Sequence, residues 1–284
     1  MKKQDNRRNK MKKERRPEKK EFKSRDSRAN KYEDNSAFEE GLQLEGRNPV
    51  MEALNHDKPI DKIIVKKGAI EGTLKVIVAK AREKGIIVQE VDKEKMSLIS
   101  KSNNNQGVIA LCPAHEYCEL SDIIENARSK GEDPFIILCD EITDPHNLGA
   151  IIRTADAVGA HGVVIPKRRA VGLTAVVSKT SAGAIEFVPV ARVTNMARAI
   201  DELKKENIWV ACADMSGKEY FNSDLKGAIA LVIGSEGTGV SELVRKKCDF
   251  TIGIPMYGSI DSLNASVSAG LIMYEVVRQR KFNN

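Results

Sequence analysis

The chain has 284 residues, 41% of them hydrophobic and 30% charged, with a formal net charge of +6. That is an ordinary globular composition with room for one large domain or two modest ones. No apolar run approaches membrane-spanning length, and no apolar stretch follows the basic start Met1-Lys2-Lys3, so neither a membrane protein nor a secreted one is expected.

The charge is uneven. Residues 1–31 hold 15 Lys and Arg against 5 Asp and Glu, so the remainder of the chain is acidic by 4. With Phe22 as its sole aromatic, this segment cannot bury enough surface to offset its ordering entropy, and residues 1–36 are expected to be a disordered basic tail. It serves either as a polycation for RNA phosphates or as a solubilising extension. Order is expected from about Gly41. Ile63-Ile64-Val65 reads as a strand. Thr73 to Lys84 reads as a helix, since Leu74, Ile77, Val78 and Ala81 share one face. Ile86 to Val91 and Val108 to Leu111 read as strands, with a short helix from Glu94 to Ile99 between them. These make a small α/β domain over 41–116.

A helix from Leu120 to Lys130 is stopped by Gly131 and Pro134, and 117–133 is expected to link the domains. Beyond it, over 134–284, strands are expected at Phe135 to Cys139, Val163 to Ile165, Phe187 to Val190, Ile208 to Ala213, Ile229 to Ile233 and Phe250 to Ile254. Helices are expected at Leu148 to Val158, Leu173 to Thr180, Met196 to Glu206, Ser241 to Lys247 and Leu263 to Arg280. Alternating strands and helices imply an α/β fold, a mostly parallel sheet covered on both faces. The five cysteines include no CxxC pair, which points to a reducing cytoplasm, no disulfide framework and no metal site. Cys139 and Cys212 sit in apolar runs and read as buried small hydrophobes.

Three polar stretches interrupt this pattern. Asp144-Pro145-His146-Asn147-Leu148-Gly149 runs on to Arg153 after the strand at 135–139. Ligands of open α/β sheets bind at such strand ends. Taken alone, Asn147 is a helix N-cap and Arg153 a surface or ion-pair residue. Six helical residues turn about 600°, so the two converge only if Asn147 precedes the helix. His146 is read as non-catalytic. Gly234-Ser235-Glu236-Gly237-Thr238-Gly239 follows the strand at 229–233. Its glycines permit tight turns and close approach to a ligand. The order is neither the dinucleotide fingerprint nor a P-loop, and Glu236 alone reads as a solvated carboxylate. Ile254-Pro255-Met256 and Ser262-Leu263-Asn264 form the third stretch, with Ser262 a plausible N-cap.

In this order, each beside a short apolar run, the three stretches resemble the three motifs of the SpoU-type, TrmH-like RNA 2′-O-ribose methyltransferases of the SPOUT superfamily. The resemblance covers about 41–283 and is strongest over 138–192 and 229–281. It implies S-adenosylmethionine as cofactor, RNA as partner, a C-terminal trefoil knot and a homodimer. It assigns Arg153 to substrate phosphate and activation of the ribose hydroxyl, and Asn147, Glu236, Ser262 and Asn264 to the polar site. Gly234, Ile254, Met256 and Leu263 fall to the cofactor pocket. The runs at 144–150, 232–237 and 278–280 most resemble enzymes that methylate a guanosine of 23S ribosomal RNA, with 41–116 resembling their substrate-binding domain. Ala265 and Asp261 depart from the usual residues of the third motif. A transfer RNA substrate, a ribosomal RNA adenosine, or a non-catalytic RNA-binding assembly factor with the same fold are the alternatives.

Overall fold

A computed structural model describes residues 42–68, 70–102 and 104–282. The tail expected over 1–36 lies outside them. The first sheet has four strands, β1 (Leu42–Glu45), β2 (Lys62–Lys66), β3 (Ile87–Val91) and β4 (Val108–Cys112), in the order β1-β4-β2-β3. β4 runs antiparallel to β1 and β2, and β3 is parallel to β2. Successive β2 residues face opposite ways. Ile63 and Val65 pack with helices α1 (Arg47–Asn55) and α2 (Thr73–Glu83), while Ile64 packs with α3 (Lys93–Ile99). The buried face of α2 is Leu74, Ile77, Val78 and Ala81, as its spacing predicts.

The second sheet is wholly parallel. Its strands are β5 (Phe135–Asp140), β6 (Gly162–Pro166), β7 (Val190–Val193), β8 (Trp209–Glu219), β9 (Ile229–Gly234) and β10 (Phe250–Gly253), in the order β10-β8-β9-β5-β6-β7. Each β5 residue is buried, as a central parallel strand requires. Phe135, Ile137 and Cys139 face the core shared with α5 (Pro145–Ala157), α6 (Ala175–Thr180) and α9 (Ala265–Phe282). Ile136 and Leu138 face α4 (Leu120–Ser129), α7 (Met196–Lys205) and α8 (Glu242–Lys247). Burial pushes the Cys139 thiol up to about 12, and Cys212 is fully buried, so both are packing residues.

The strand expected from Phe187 begins later, at Val190. Residues 184–186 form a 3-10 turn, Phe187 is exposed, and Pro189, lacking an N–H, precedes the ladder. β8 is longer than expected. Its pairing with β10 jumps from Cys212–Thr251 to Lys218–Ile252, and the intervening residues bulge over the backbone of Ile252 and Gly253.

Chain order runs β5, β6, β7 in one direction and returns to β8, β9 and β10 on the other side of β5. The neighbours β5 and β9 therefore flank the switch point, where a crevice opens at the carboxyl ends of the strands. The two sheets are joined by a buried junction. Asp61, just before β2, pairs with Arg192 of β7, whose guanidinium lies 5.1 Å from the Tyr117 ring centre. The Tyr117 hydroxyl donates to Asp61 at 3.4 Å and accepts from the Leu173 amide at 2.9 Å. Burial pushes the Asp61 carboxyl up, opposed by the arginine. Among the described residues no helix is long and apolar enough to cross a membrane.

Candidate active site

Asp140 ends β5 as a buried carboxylate and accepts the Ser241 amide at 2.8 Å, tying down the far end of the loop that leaves β9. Between these points the chain makes a closed turn. Ser235 and Gly239 exchange backbone hydrogen bonds of 3.2 and 3.0 Å, and Gly237 and Gly239 have φ of +89° and +67°. Gly234 lies so close to this turn that a Cβ there would overlap the Gly239 carbonyl and the Val240 nitrogen. The turn projects Glu236 into the crevice.

From the other side of the crevice comes α5. Its N-cap is Asp144, whose carboxylate accepts the His146 amide at 2.8 Å, with Pro145 in the first turn. The helix thus begins three residues before the expected Leu148, and Asn147 is a buried helical residue rather than a cap. The third component is Asn264, the N-cap of α9. Its Oδ1 accepts from the Ser266 amide at 3.0 Å, the Ser266 hydroxyl at 2.6 Å and the Val267 amide at 3.3 Å. Ser262, the expected cap, stands two residues outside and donates to Asp261 at 3.4 Å.

These side chains form a closed triangle. The Asn147 Nδ2 donates to Glu236 Oε1 at 3.1 Å. The Asn264 Nδ2 donates to Asn147 Oδ1 at 2.9 Å and also to Glu236 Oε1. The carboxylate gathers both amides, fixing their orientation. Beside it is a cavity of about 350 Å³, lined by Gly234, Glu236, Ile254, Met256, Ser262 and Leu263 among others. Its apolar wall also includes Ile233, Ile252 and Ile272, suiting a planar base. Its charged lining residues are Asp214, Glu236 and Asp261, with no Lys, Arg or His. The Ser216 hydroxyl and amide hold the Asp214 carboxyl below the usual range, with Arg245 adding to this. The cavity therefore combines an apolar wall with carboxylate oxygens, Asp214 among them paired with Arg245.

Arg153 is not brought to the triangle. It is exposed on α5, does not line the cavity, and has no ion-pair or hydrogen-bond partner among the described residues. With Asn147 inside the helix, the six-residue separation turns the two side chains to different faces. The His146 ring makes a single weak hydrogen bond among the described residues, 3.4 Å to the Thr180 hydroxyl. Sequence reasoning missed Asp140 and Asp214. The first carried a signal, an acid closing an apolar strand at a sheet's carboxyl end. The second depends on the β8 register jump, which has none.

A parallel sheet with a polar triangle at its switch point and a ring-sized, anionic cavity alongside defines an α/β enzyme that works on a ligand held at its strand ends. Residues 134–274 match the SpoU rRNA Methylase family, and residues 43–118 match the RNA 2′-O ribose methyltransferase substrate-binding family. A Bacillus subtilis (strain 168) protein assigned to the TrmH family of tRNA/rRNA methyltransferases is 51% identical over 236 residues, 83% of this chain and 94% of that one. A Staphylococcus aureus (strain MSSA476) protein with the same assignment is 46% identical over 85% of this chain and 97% of its own. Among solved structures, the SpoU methyltransferase AviRb of Streptomyces viridochromogenes, in complex with AdoMet, is similar with a TM-score of 0.53 and 27% identity, covering 84% of this chain and 90% of that one. The chain belongs to the SpoU/TrmH family of RNA methyltransferases.

Proposed function

We propose that the protein transfers a methyl group from S-adenosylmethionine to a ribose 2′-hydroxyl of RNA, with a guanosine of 23S ribosomal RNA as the target. The observation that carries this reading is the polar triangle beside a cavity whose charged groups are all carboxylates. Gly234, Ile254, Met256 and Leu263 line the walls that would hold the nucleoside, and Asp261 and Glu236 offset its positive charge. When bound, the cofactor supplies a methyl carbon on a sulfonium. Asn147, Glu236, Ser262 and Asn264 hold the ribose so that the oxygen faces that carbon in line. The hydroxyl proton would pass to solvent water as the methyl group is delivered. Arg153 binds the neighbouring phosphate and favours loss of the proton through its fixed positive charge.

Arg153 meets its substrate through a homodimer. Val267, Leu271 and Tyr274 form an exposed apolar stripe on α9, 50%, 40% and 54% accessible. Thr154, the residue after Arg153, lies where α5 meets α9 at Gly270. Pairing two copies through this stripe carries each Arg153 towards the other copy's crevice. The knot is part of the same reading. Residues 214–217 cross β10 at backbone distance, a Cβ on Gly217 falling 2.6 Å from Ile252, and α9 then returns from the sheet edge to pack on β9 and α5. The five free cysteines suit the cytoplasm.

Mapping ribose methylation in ribosomal RNA with and without the protein tests the substrate. One guanosine mark absent from 23S RNA is the expected result; a lost transfer RNA or adenosine mark reassigns it. Asn264 separates folding from chemistry. Asn264→Ala removes the cap of α9 and is expected to cost about 1 kcal/mol of stability. Asn264→Asp keeps a capping oxygen but sets a second carboxylate against Glu236. It should melt close to wild type and turn over at least about tenfold more slowly. Unchanged turnover in Asn264→Asp removes the residue from the site.

A further inference from the structure

A second cavity lies at the opposite end of the large sheet. Its volume is about 420 Å³, and it is lined by Trp209, Phe250, Ile229, Lys218, Lys226, Ser223 and Asp224. Trp209, Ile229 and Phe250 are the first residues of β8, β9 and β10, so the cavity faces away from the crevice by the length of β9, roughly 17 Å. It belongs to no part of the site described above.

Two features set it apart from ordinary surface. Trp209 is 61% exposed, although its neighbours Val210, Ala211 and Cys212 are fully buried. Its backbone is held, the amide donating to Ala228 O at 3.0 Å, so the indole is anchored at this edge of the sheet with much of its surface open. The half-buried Phe250 ring provides a second wall. The lining cations also differ from those of α8. Each basic residue of α8 is matched by a carboxylate, Arg245 by Asp214, Lys246 by Glu242 and Lys247 by Asp201, and Lys204 is matched by Asp249. Lys218 and Lys226 have no such partner among the described residues. The only lining carboxylate, Asp224, already accepts the Lys226 amide at 3.1 Å.

We propose that this cavity binds single-stranded RNA: a base stacks on Trp209 beside Phe250 while Lys218 and Lys226 contact the flanking phosphates. Bases stack on exposed aromatic rings with little regard to sequence, and unpaired lysines beside the ring supply the phosphate contacts. Two positive charges beside an open aromatic face complement a nucleotide strand better than an apolar protein surface. Asp224 leaves an acceptor for an exocyclic amine. The inference rests on the RNA-methylating reading and adds to it a contact several nucleotides from the methylated ribose.

The test uses the full chain, in which Trp209 is the sole tryptophan. Titration with a short unlabelled single-stranded RNA is expected to quench its emission along the same curve that anisotropy of labelled RNA reports, and S-adenosylmethionine alone should leave emission unchanged. Trp209→Ala is expected to weaken RNA binding about tenfold. The double variant Lys218→Ala/Lys226→Ala keeps the indole and should lower the slope of log affinity against log salt by about 1.4. Cofactor affinity should stay at wild type in both. RNA that binds without quenching, or that binds all variants alike with the same salt slope, overturns the proposal and leaves the methyltransferase reading standing. Quenching by RNA-free ribosomal proteins and not by RNA assigns the cavity to a protein and overturns it equally. If wild type binds no RNA by either readout, both readings fall.

Discussion

Gly234→Ala is expected to lower S-adenosylmethionine affinity at least about a hundredfold, or ~3 kcal/mol. The reason is spatial. The added methyl group would occupy the space of the Gly239 carbonyl and the Val240 nitrogen, and backbone cannot rotate away as a side chain can. The turn carrying Glu236 must then open, spoiling the cavity wall and the triangle together. Gly258→Ala is the matched control, because a Cβ at Gly258 meets nothing within 4 Å. Calorimetry with the cofactor reads both. Normal binding by Gly234→Ala would show that this cavity is not where the nucleoside sits.

Arg153→Ala should slow methyl transfer by about a hundred- to a thousandfold. Stability should move by less than about 0.5 kcal/mol, because the side chain is exposed and without a partner among the described residues. Cofactor affinity should not change, since Arg153 does not line the cavity. The two inactive variants can then be mixed. If Arg153 serves the other subunit's site, a hybrid of Arg153→Ala and Gly234→Ala has one site with an intact turn and an intact arginine. An equimolar, freely exchanging mixture regains about a quarter of the wild-type sites. Failure to recover activity, with exchange confirmed, keeps the arginine within its own chain. Near-wild-type turnover by Arg153→Ala alone removes its role.

Most of the fold was legible because its signals are local. Leu74, Ile77, Val78 and Ala81 declare a helix at any distance from the rest of the chain, and the run Phe135 to Cys139 declares a central strand. The gaps have physical causes. β1 and α1 were not foreseen: Leu42 pairs with Cys112, and that partnership is invisible from a four-residue strand. α5 starts three residues before the expected Leu148, because Asp144-Pro145 is an N-cap followed by a first-turn position that suits proline. Ser262 looked like the cap of α9, yet Asn264 does that work, and neighbouring polar residues are hard to rank by chemistry alone. The polar residues of the site were visible one at a time. Their convergence was not, because Asn147 meets Glu236 and Asn264 from 89 and 117 positions away. Arg153 shows a harder limit, because its proposed role depends on a second copy of the chain.

The junction of Asp61, Tyr117 and Arg192 constrains how this protein can change over generations. Asp61 and Arg192 are 131 positions apart, one on each side of the boundary between the sheets, and both are nearly shielded from water. A mutation at either alone strands a lone charge in a dry place, a loss of about 3–5 kcal/mol that a marginally stable fold tolerates poorly. Lineages should therefore keep both or exchange both, and a lobe borrowed from a relative would arrive mismatched unless its counterpart came with it.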